Sequence, residues 1–255
     1  MVKKILSILA WIVTGVALAA LFFAARNYYL KQPLTSVRVN IDRAADSGFV
    51  KKGEVHSCIG QLCASTPIGK VNMVEIDDQL RINPWVEHAS SFIDLDGTLN
   101  ISLKEYEPML RVFGKNGQSA YLTSGGIVLP TSDGYTPHVL IASGNFSLDS
   151  VNAHRLCDTV EADRNLINAM KVCNAIKGNE FMRSCIGQIY CNGRNEFEVV
   201  ARNIDARIIV GDTCNLDDKL LRLEIFIKQK INSHEIRKLK TINLKYKNQI
   251  VCTKK

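Results

Sequence analysis

Apolar residues run without a single charge from Ile5 to Ala25, 21 positions that include Trp11, Phe22 and Phe23. About 20 such residues are needed for a helix to cross the hydrocarbon core of a bilayer. Lys3 and Lys4 precede the run, and Arg26, Tyr28, Tyr29 and Lys31 follow it. The two tyrosines suit the interfacial layer. The pattern predicts a transmembrane helix over residues 5–25, a cytoplasmic tail over 1–4 and a linker over 26–35 that contains Pro33. Basic residues on both sides leave the positive-inside rule undecided, but an N-terminal segment of four residues usually stays in the cytoplasm. A cleaved signal peptide is the rival, since Ala17-Leu18-Ala19 has the spacing of a cleavage site. The apolar run continues six residues past that site, whereas a signal core is about 7–15 residues long. An uncleaved anchor is therefore favoured, and either reading places the rest of the chain outside the cytoplasm.

Beyond the anchor the period changes. Val37, Val39 and Ile41 alternate with Arg38, Asn40 and Asp42, the two-residue period of a half-buried strand. Gly48 to Gly53 reads as a loop and Glu54 to Gln61 as a short helix. Asn72 with Glu75 three residues later resembles a capping box. The helix it opens carries Met73, Ile76 and Leu80 on one face and ends before Pro84. Val86 to Ile93 is expected as a strand, Asp94 to Gly97 as a turn and Leu99 to Glu105 as a strand. Strand, two helices and two strands make a small α+β module with its helices on one face of the sheet.

From Pro108 onward strands dominate. They are expected at Leu110–Phe113, Ser119–Leu122, Ile127–Leu129, His138–Ala142, Ile186–Tyr190, Glu196–Ala201 and Ala206–Val210, with a helix over Glu161–Ala175. Leu216, Leu220, Leu223, Ile227 and Ile231 recur at helical spacing, behind Asp217 and Asp218 in the favourable first turn. Ile242, Leu244 and Tyr246 alternate with Asn243, Lys245 and Lys247, predicting one long final strand over Thr241–Cys252. The fold class is α+β: an anchor, a small module over 36–107 and a mostly antiparallel β-domain with flanking helices over 108–255. Ser-Cys-Ile-Gly-Gln occurs at Ser57–Gln61 and at Ser184–Gln188, but the flanks differ and no repeat is read from it.

Composition narrows the function. Hydrophobic residues make up 46% of the 255 positions, enough for a sizeable core, while aromatics at 7% argue against a stacking platform for single-stranded nucleic acid. The net charge is +7, and the segment from Lys228 to Lys255 holds nine Lys/Arg against one acid, Glu235. The basic excess is thus confined to the C-terminal tail. A solvated basic face accounts for it, and the compartment argues against chromosomal DNA.

Three phrases carry a resemblance. Pro84-Trp85-Val86-x-x-Ala89 follows an amphipathic helix. Leu99-x-Ile101-x-Leu103-x-Glu105-x-x-Pro108 and Tyr121-Leu122-x-x-x-Gly126-x-Val128-Leu129-Pro130 come next. Their order resembles the join between the POTRA module and the β-domain of the FtsQ/DivIB cell-division family. Val210-Gly211, the amphipathic helix and Thr241-Ile242-Asn243-Leu244-Lys245-Tyr246 are similar to that family's C-terminal part. Leu110-Arg111-Val112 and Lys245-Tyr246-Lys247-Asn248-Gln249 resemble its Bacteroidetes branch. Trp85 reads as a core residue at a helix end, and Pro108 suits a sheet exit where its missing N–H costs little.

The resemblance implies a bitopic divisome scaffold of the inner membrane without catalysis, and no cofactor or metal is expected. It further implies two small single-span coiled-coil partners, FtsB/DivIC-like and FtsL-like, bound by strand addition on the last long strand. The expected partner-binding residues are Asn243, Leu244, Lys245, Tyr246, Lys247, Ile250 and Val251. Tyr246 is the expected anchor, set against an ordinary half-buried strand tyrosine, and Lys245 and Lys247 are expected to pair with acids on a partner. Eight cysteines depart from the family pattern.

Two other classes compete. Phe92-Ile93-Asp94-Leu95-Asp96-Gly97-Thr98-Leu99 resembles the first motif of haloacid-dehalogenase phosphatases. Leu122-Thr123-Ser124-Gly125 resembles their threonine motif, and Gly211-Asp212 with Asp217 and Asp218 their acidic motif. Asp94 would be the nucleophile, Asp96 the acid/base, and Asp212 and Asp217 the Mg²⁺ ligands. The context opposes it. The upstream segment Glu87-His88-Ala89-Ser90-Ser91 is too polar for a buried parallel strand, and a strand follows where a helix is required. The third class is a POTRA-type assembly chaperone, which a single module after the anchor disfavours. The five histidines are scattered. Cys58/Cys63 and Cys185/Cys191 fit zinc spacing poorly, and eight cysteines in an oxidising compartment allow 105 disulfide pairings.

Overall fold

The computed structural model describes residues 2–43, 48–63, 66–148, 154–155, 164–230 and 236–255. It divides into two compact units, Met1–Glu105 and Tyr106–Lys255.

The first unit opens with helix α1, Val2–Lys31. Its apolar side chains from Leu9 to Phe23 are exposed, packed against none of the other described residues. A helix apolar on all sides needs an apolar surrounding, which a bilayer supplies. Leu9–Lys31 is a candidate membrane span by length and hydropathy. The helix continues through Arg26–Lys31, which the sequence pattern assigned to a linker. Residues 32–35 are tied down as well: Pro33 bridges Pro67, and the Thr35 N–H donates to the Gly97 carbonyl at 3.0 Å. The linker is therefore short and ordered, because the end of α1 finds hydrogen-bond partners on the module that follows.

That module contains strand β1, Ser36–Asp42; helix α2, Lys52–Cys63; a 3-10 turn at Ile68–Lys70; helix α3, Met73–Arg81; and strands β2, Val86–Ile93, and β3, Thr98–Glu105. The sheet order is β1-β3-β2, with β1 parallel and β2 antiparallel to the central β3. Leu99, Ile101 and Leu103 of β3 are buried, as are Val55 and Ile59 of α2 and Ile76 and Leu80 of α3. The Asn72 side chain caps α3, accepting from the Glu75 N–H at 3.4 Å. Trp85 stacks on Phe49 with ring centroids 3.5 Å apart, a core contact as its sequence position suggested. The turn between β2 and β3 uses the Asp96-Gly97 pair. Gly97 has φ +80°, which a residue with a Cβ adopts at a cost.

The second unit is built on one ten-stranded sheet. Its strands are β4, Pro108–Phe113; β5, Ser119–Thr123; β6, Ile127–Leu129; β7, Leu140–Gly144; β8, His154–Arg155; β9, Ile186–Cys191; β10, Phe197–Ala201; β11, Arg207–Gly211; β12, Leu239–Asn243; and β13, Val251–Lys254. The order across the sheet is β13-β12-β11-β10-β9-β7-β4-β5-β6-β8, with six antiparallel and three parallel pairings. Helices α4, Arg164–Gly178, and α5, Glu180–Cys185, connect the parallel pair β7/β9. Helix α6, Leu216–Lys230, connects the parallel pair β11/β12. Leu166, Val172 and Ile176 of α4 and Leu220, Leu223 and Ile227 of α6 share one core with Leu110, Ile189, Val199, Ile208 and Ile242 of the sheet.

Pro108 opens β4, where a residue without an N–H is tolerated. The expected helix over Glu161–Ala175 runs from Arg164 to Gly178, and residues 161–163 and Ile231 lie outside the described residues. Helix α5 was not anticipated. Its signal is Asn179, whose side chain accepts from the Met182 N–H at 3.0 Å. The largest correction is at the C-terminus. The single strand expected over Thr241–Cys252 is a hairpin of β12 and β13, because the chain leaves the ladder at Lys245. The Asn243 side chain accepts from the Lys245 N–H at 3.0 Å, and Asn248 turns the chain back with φ +56°.

Candidate partner-binding edge

The sheet of the second unit ends at β13, which pairs with β12 on one side only, with Ile242 opposite Cys252 and Asn243 opposite Val251. Its other side presents backbone donors and acceptors with no strand beyond them among the described residues, the arrangement that accepts an added strand. Val251 is 40% exposed at the start of this edge, and Tyr246 is 49% exposed in the hairpin loop beside it.

The loop is held from below. Arg222 of α6 donates through Nη1 to the carbonyls of Tyr246 and Gln249, both at 2.9 Å, while its Nε donates to Asp218 at 2.9 Å. One guanidinium thus fixes the two sides of the loop to the helix. Lys245 reaches back across the sheet to Glu196, and its stem lies over Gly211, where a Cβ would stand 2.6 Å from the Lys245 Cγ. The hydrogen bond from Lys245 holds the Glu196 carboxyl below the ordinary carboxylate range. Across the hairpin, the hydroxyls of Thr241 and Thr253 meet at 2.6 Å.

The seven residues expected to bind partners therefore separate. Tyr246, Lys247 and Val251 are exposed, and Asn243 and Ile250 are half-buried. Leu244 is fully buried in the core and offers no side chain to a partner, because its place after β12 points it inward beside Ile242. Lys245 already has an acid, Glu196, within its own chain. Arg222 was missed because it sits on α6, 24 residues before Tyr246 in the loop it holds. Its only sequence signal is the i,i+4 spacing from Asp218.

The phosphatase-like residues are engaged in turns. Asp94 accepts from the Asn100 amide at 2.7 Å, and Asp96 accepts from the Thr98 N–H at 2.9 Å. The Thr123 hydroxyl accepts from the Ile127 N–H at 3.0 Å. Asp212 is bound at 2.6 Å by the buried Lys219 ammonium, which holds its carboxyl below the ordinary range. Asp94 and Asp96 belong to the first unit, Thr123 and Asp212 to the second. Among the described residues no three His, Cys, Asp or Glu side chains gather as a metal site. Burial pushes the Cys173 thiol up to about 11 and raises those of the half-buried Cys185 and Cys252 as well, which disfavours the thiolate at each. Cys157 and His234 lie outside the described residues.

An apolar helix, a strand–helix–helix–strand–strand module and a mostly antiparallel sheet with an open C-terminal edge define a POTRA-bearing, membrane-anchored protein. Residues 33–104 match the POTRA-like domain family, and residues 107–253 match the FtsQ/DivIB C-terminal related family. The chain belongs to the FtsQ/DivIB family of cell-division proteins. Members of that family are non-catalytic division scaffolds that interact with other divisome proteins. No curated protein matches the chain.

Proposed function

We propose that this chain is a bitopic, non-enzymatic scaffold of septum assembly that links early and late division proteins. In this reading residues 1–4 lie in the cytoplasm, residues 5–25 cross the inner membrane, and the modules at 36–107 and 108–255 work in the periplasm. Its partners are FtsB/DivIC-like and FtsL-like single-span coiled-coil proteins. A partner segment adds as a strand to the outer side of β13, taking affinity from backbone hydrogen bonds and selectivity from alternate side chains. Tyr246 is the aromatic anchor, Val251 the apolar contact and Lys247 the charge offered to partner acids.

The observation that carries this reading is the open outer side of β13 next to a loop whose exposed tyrosine is fixed by Arg222. The phosphatase reading loses support because Asp94, Asp96 and Asp212 each satisfy a turn or a lysine. A photo-crosslinking residue at position 246, in cells with the native membrane, tests the proposal. Capture of a small single-span protein with a periplasmic heptad segment is expected. Crosslinks to lipid or to the chain itself alone would remove the site.

A further inference from the structure

We infer that the β2–β3 turn is a second membrane contact, in which Leu95 enters the headgroup layer beside the end of the anchor helix. The inference rests on the reading of α1 as a membrane span. Leu95 is 93% exposed, more than any other large apolar residue described. A lone exposed leucine is ordinary on a protein surface. This one is held where the chain leaves the bilayer. The Tyr29 hydroxyl donates to the Asp94 carbonyl, the residue before Leu95, at 2.7 Å. Thr35 closes the other side of the turn, its hydroxyl donating to the Asp96 carbonyl at 3.0 Å and its N–H to the Gly97 carbonyl at 3.0 Å.

The height of the turn follows from helix geometry. Tyr29 is four residues past Ala25, the last residue of the uncharged run, and four residues of α-helix rise about 6 Å. The polar layer on each side of a bilayer is roughly 5–7 Å thick, from a total of about 40–45 Å around a core of about 30 Å. The Tyr29 hydroxyl and the turn bonded to it therefore lie at headgroup level. The two acids in the turn are already partnered, Asp94 by the Asn100 amide and Asp96 by the Thr98 N–H. The remaining side chain, Leu95, is the one that gains from an apolar phase. A further clamp keeps the module in place on the helix. The Ile68 N–H donates to the Gln32 carbonyl at 2.9 Å, and Leu30 packs over Gly69, where an added Cβ would stand 3.0 Å from it. The module is thus seated on the membrane with its hairpin turn down.

Tryptophan quenching in phosphatidylcholine vesicles tests this with the full chain. The lipids carry bromine on the acyl chain close to the headgroup. Trp11 and Trp85 are the two native tryptophans, and Trp85 is buried in the module. The loss of quenching between the unaltered chain and Trp11→Phe reports whether α1 is in the bilayer. Leu95→Trp in the Trp11→Phe background then reports the turn, a site so exposed that the larger ring fits without repacking. Bromine-dependent loss of emission from the indole introduced at position 95, comparable to that from Trp11, is the expected result. Quenching of Trp11 with none at position 95 would overturn the inference and leave the anchor standing. Emission from the introduced indole that shifts to the blue without quenching would mean that protein covers it, and would overturn the inference too. An unquenched Trp11 would overturn the anchor reading and the turn contact with it.

Discussion

Each unit ties two separate segments together through a carboxylate, and the two ties are built in opposite ways. Glu105 ends the central strand of the first unit with a side chain only 4% exposed. It accepts from the N–H groups of Phe49 and Val50 at 3.2 and 3.1 Å and faces Arg43 at 3.7 Å. Phe49 is the residue stacked on Trp85, so the carboxylate, the loop and the aromatic core form one structure. Gly48 makes room for it, since a Cβ there would run into the Glu105 carboxylate. Glu196 in the second unit is partly open to water and pairs with Lys245, which is more exposed still. A buried carboxylate whose hydrogen-bond donors are backbone cannot be released without leaving those donors unsatisfied. An exposed ion pair can exchange for water at little cost. The first junction is a fixed part of the core. The second is adjustable, which suits a loop next to the edge proposed here to accept another chain.

A tolerated Glu105→Ala would erase the difference between the two junctions. The substitution strands two N–H groups and Arg43, and is expected to cost the first unit about 3–5 kcal/mol. Denaturant unfolding followed by Trp85 emission in detergent reads it directly, because release of Phe49 unstacks the reporter.

A smaller effect is expected at the loop. Arg222→Ala removes two charge-assisted hydrogen bonds to the Tyr246 and Gln249 carbonyls, worth about 2 kcal/mol together. Its readout is local: faster hydrogen exchange across 244–250 with α6 otherwise protected, and a lower crosslink yield from position 246.

The smallest effect is at the exposed pair. Lys245→Ala or Glu196→Gln is expected to change stability by less than about 1 kcal/mol. The pair gives the loop a pH dependence of definite sign. Because the folded-state pKa of Glu196 is depressed below its ordinary 4.5, its contribution is fully present above that value. It is lost as pH falls below it and the carboxyl protonates. Loop exchange that quickens only below about pH 4.5 in the unaltered chain, and loses that dependence in Glu196→Gln, would sharpen the contrast.

The two units also differ in how much their sequences disclose. In the first, local signals agree with the final structure: period-2 alternation at Val37–Ile41 and Leu99–Leu103, the Asn72 cap and the Asp96-Gly97 turn all mark real elements. The role of Glu105 was not legible there, because its partners are backbone groups 55 and 56 residues earlier. In the second unit the helix over Leu216–Lys230 was legible from its apolar spacing. The final hairpin was not. Ile242, Leu244 and Tyr246 keep strand alternation into a turn, and what ends the strand is the Asn243 side chain bonding the Lys245 N–H, with Asn248 reversing the chain. The same alternation put Leu244, which the fold buries, among the expected partner-binding residues, while the loop-holding Arg222 went unseen.

The central claim is that a partner pairs with the outer edge of β13, and crosslinking along that strand tests it most directly. Photo-reactive residues are placed one at a time at positions 251, 252, 253 and 254 in cells. Strand addition predicts that all four capture the same small single-span protein, strongest where the side chain faces it. Capture at 246 with none along 251–254 would contradict strand addition and leave only a side-chain contact at the loop.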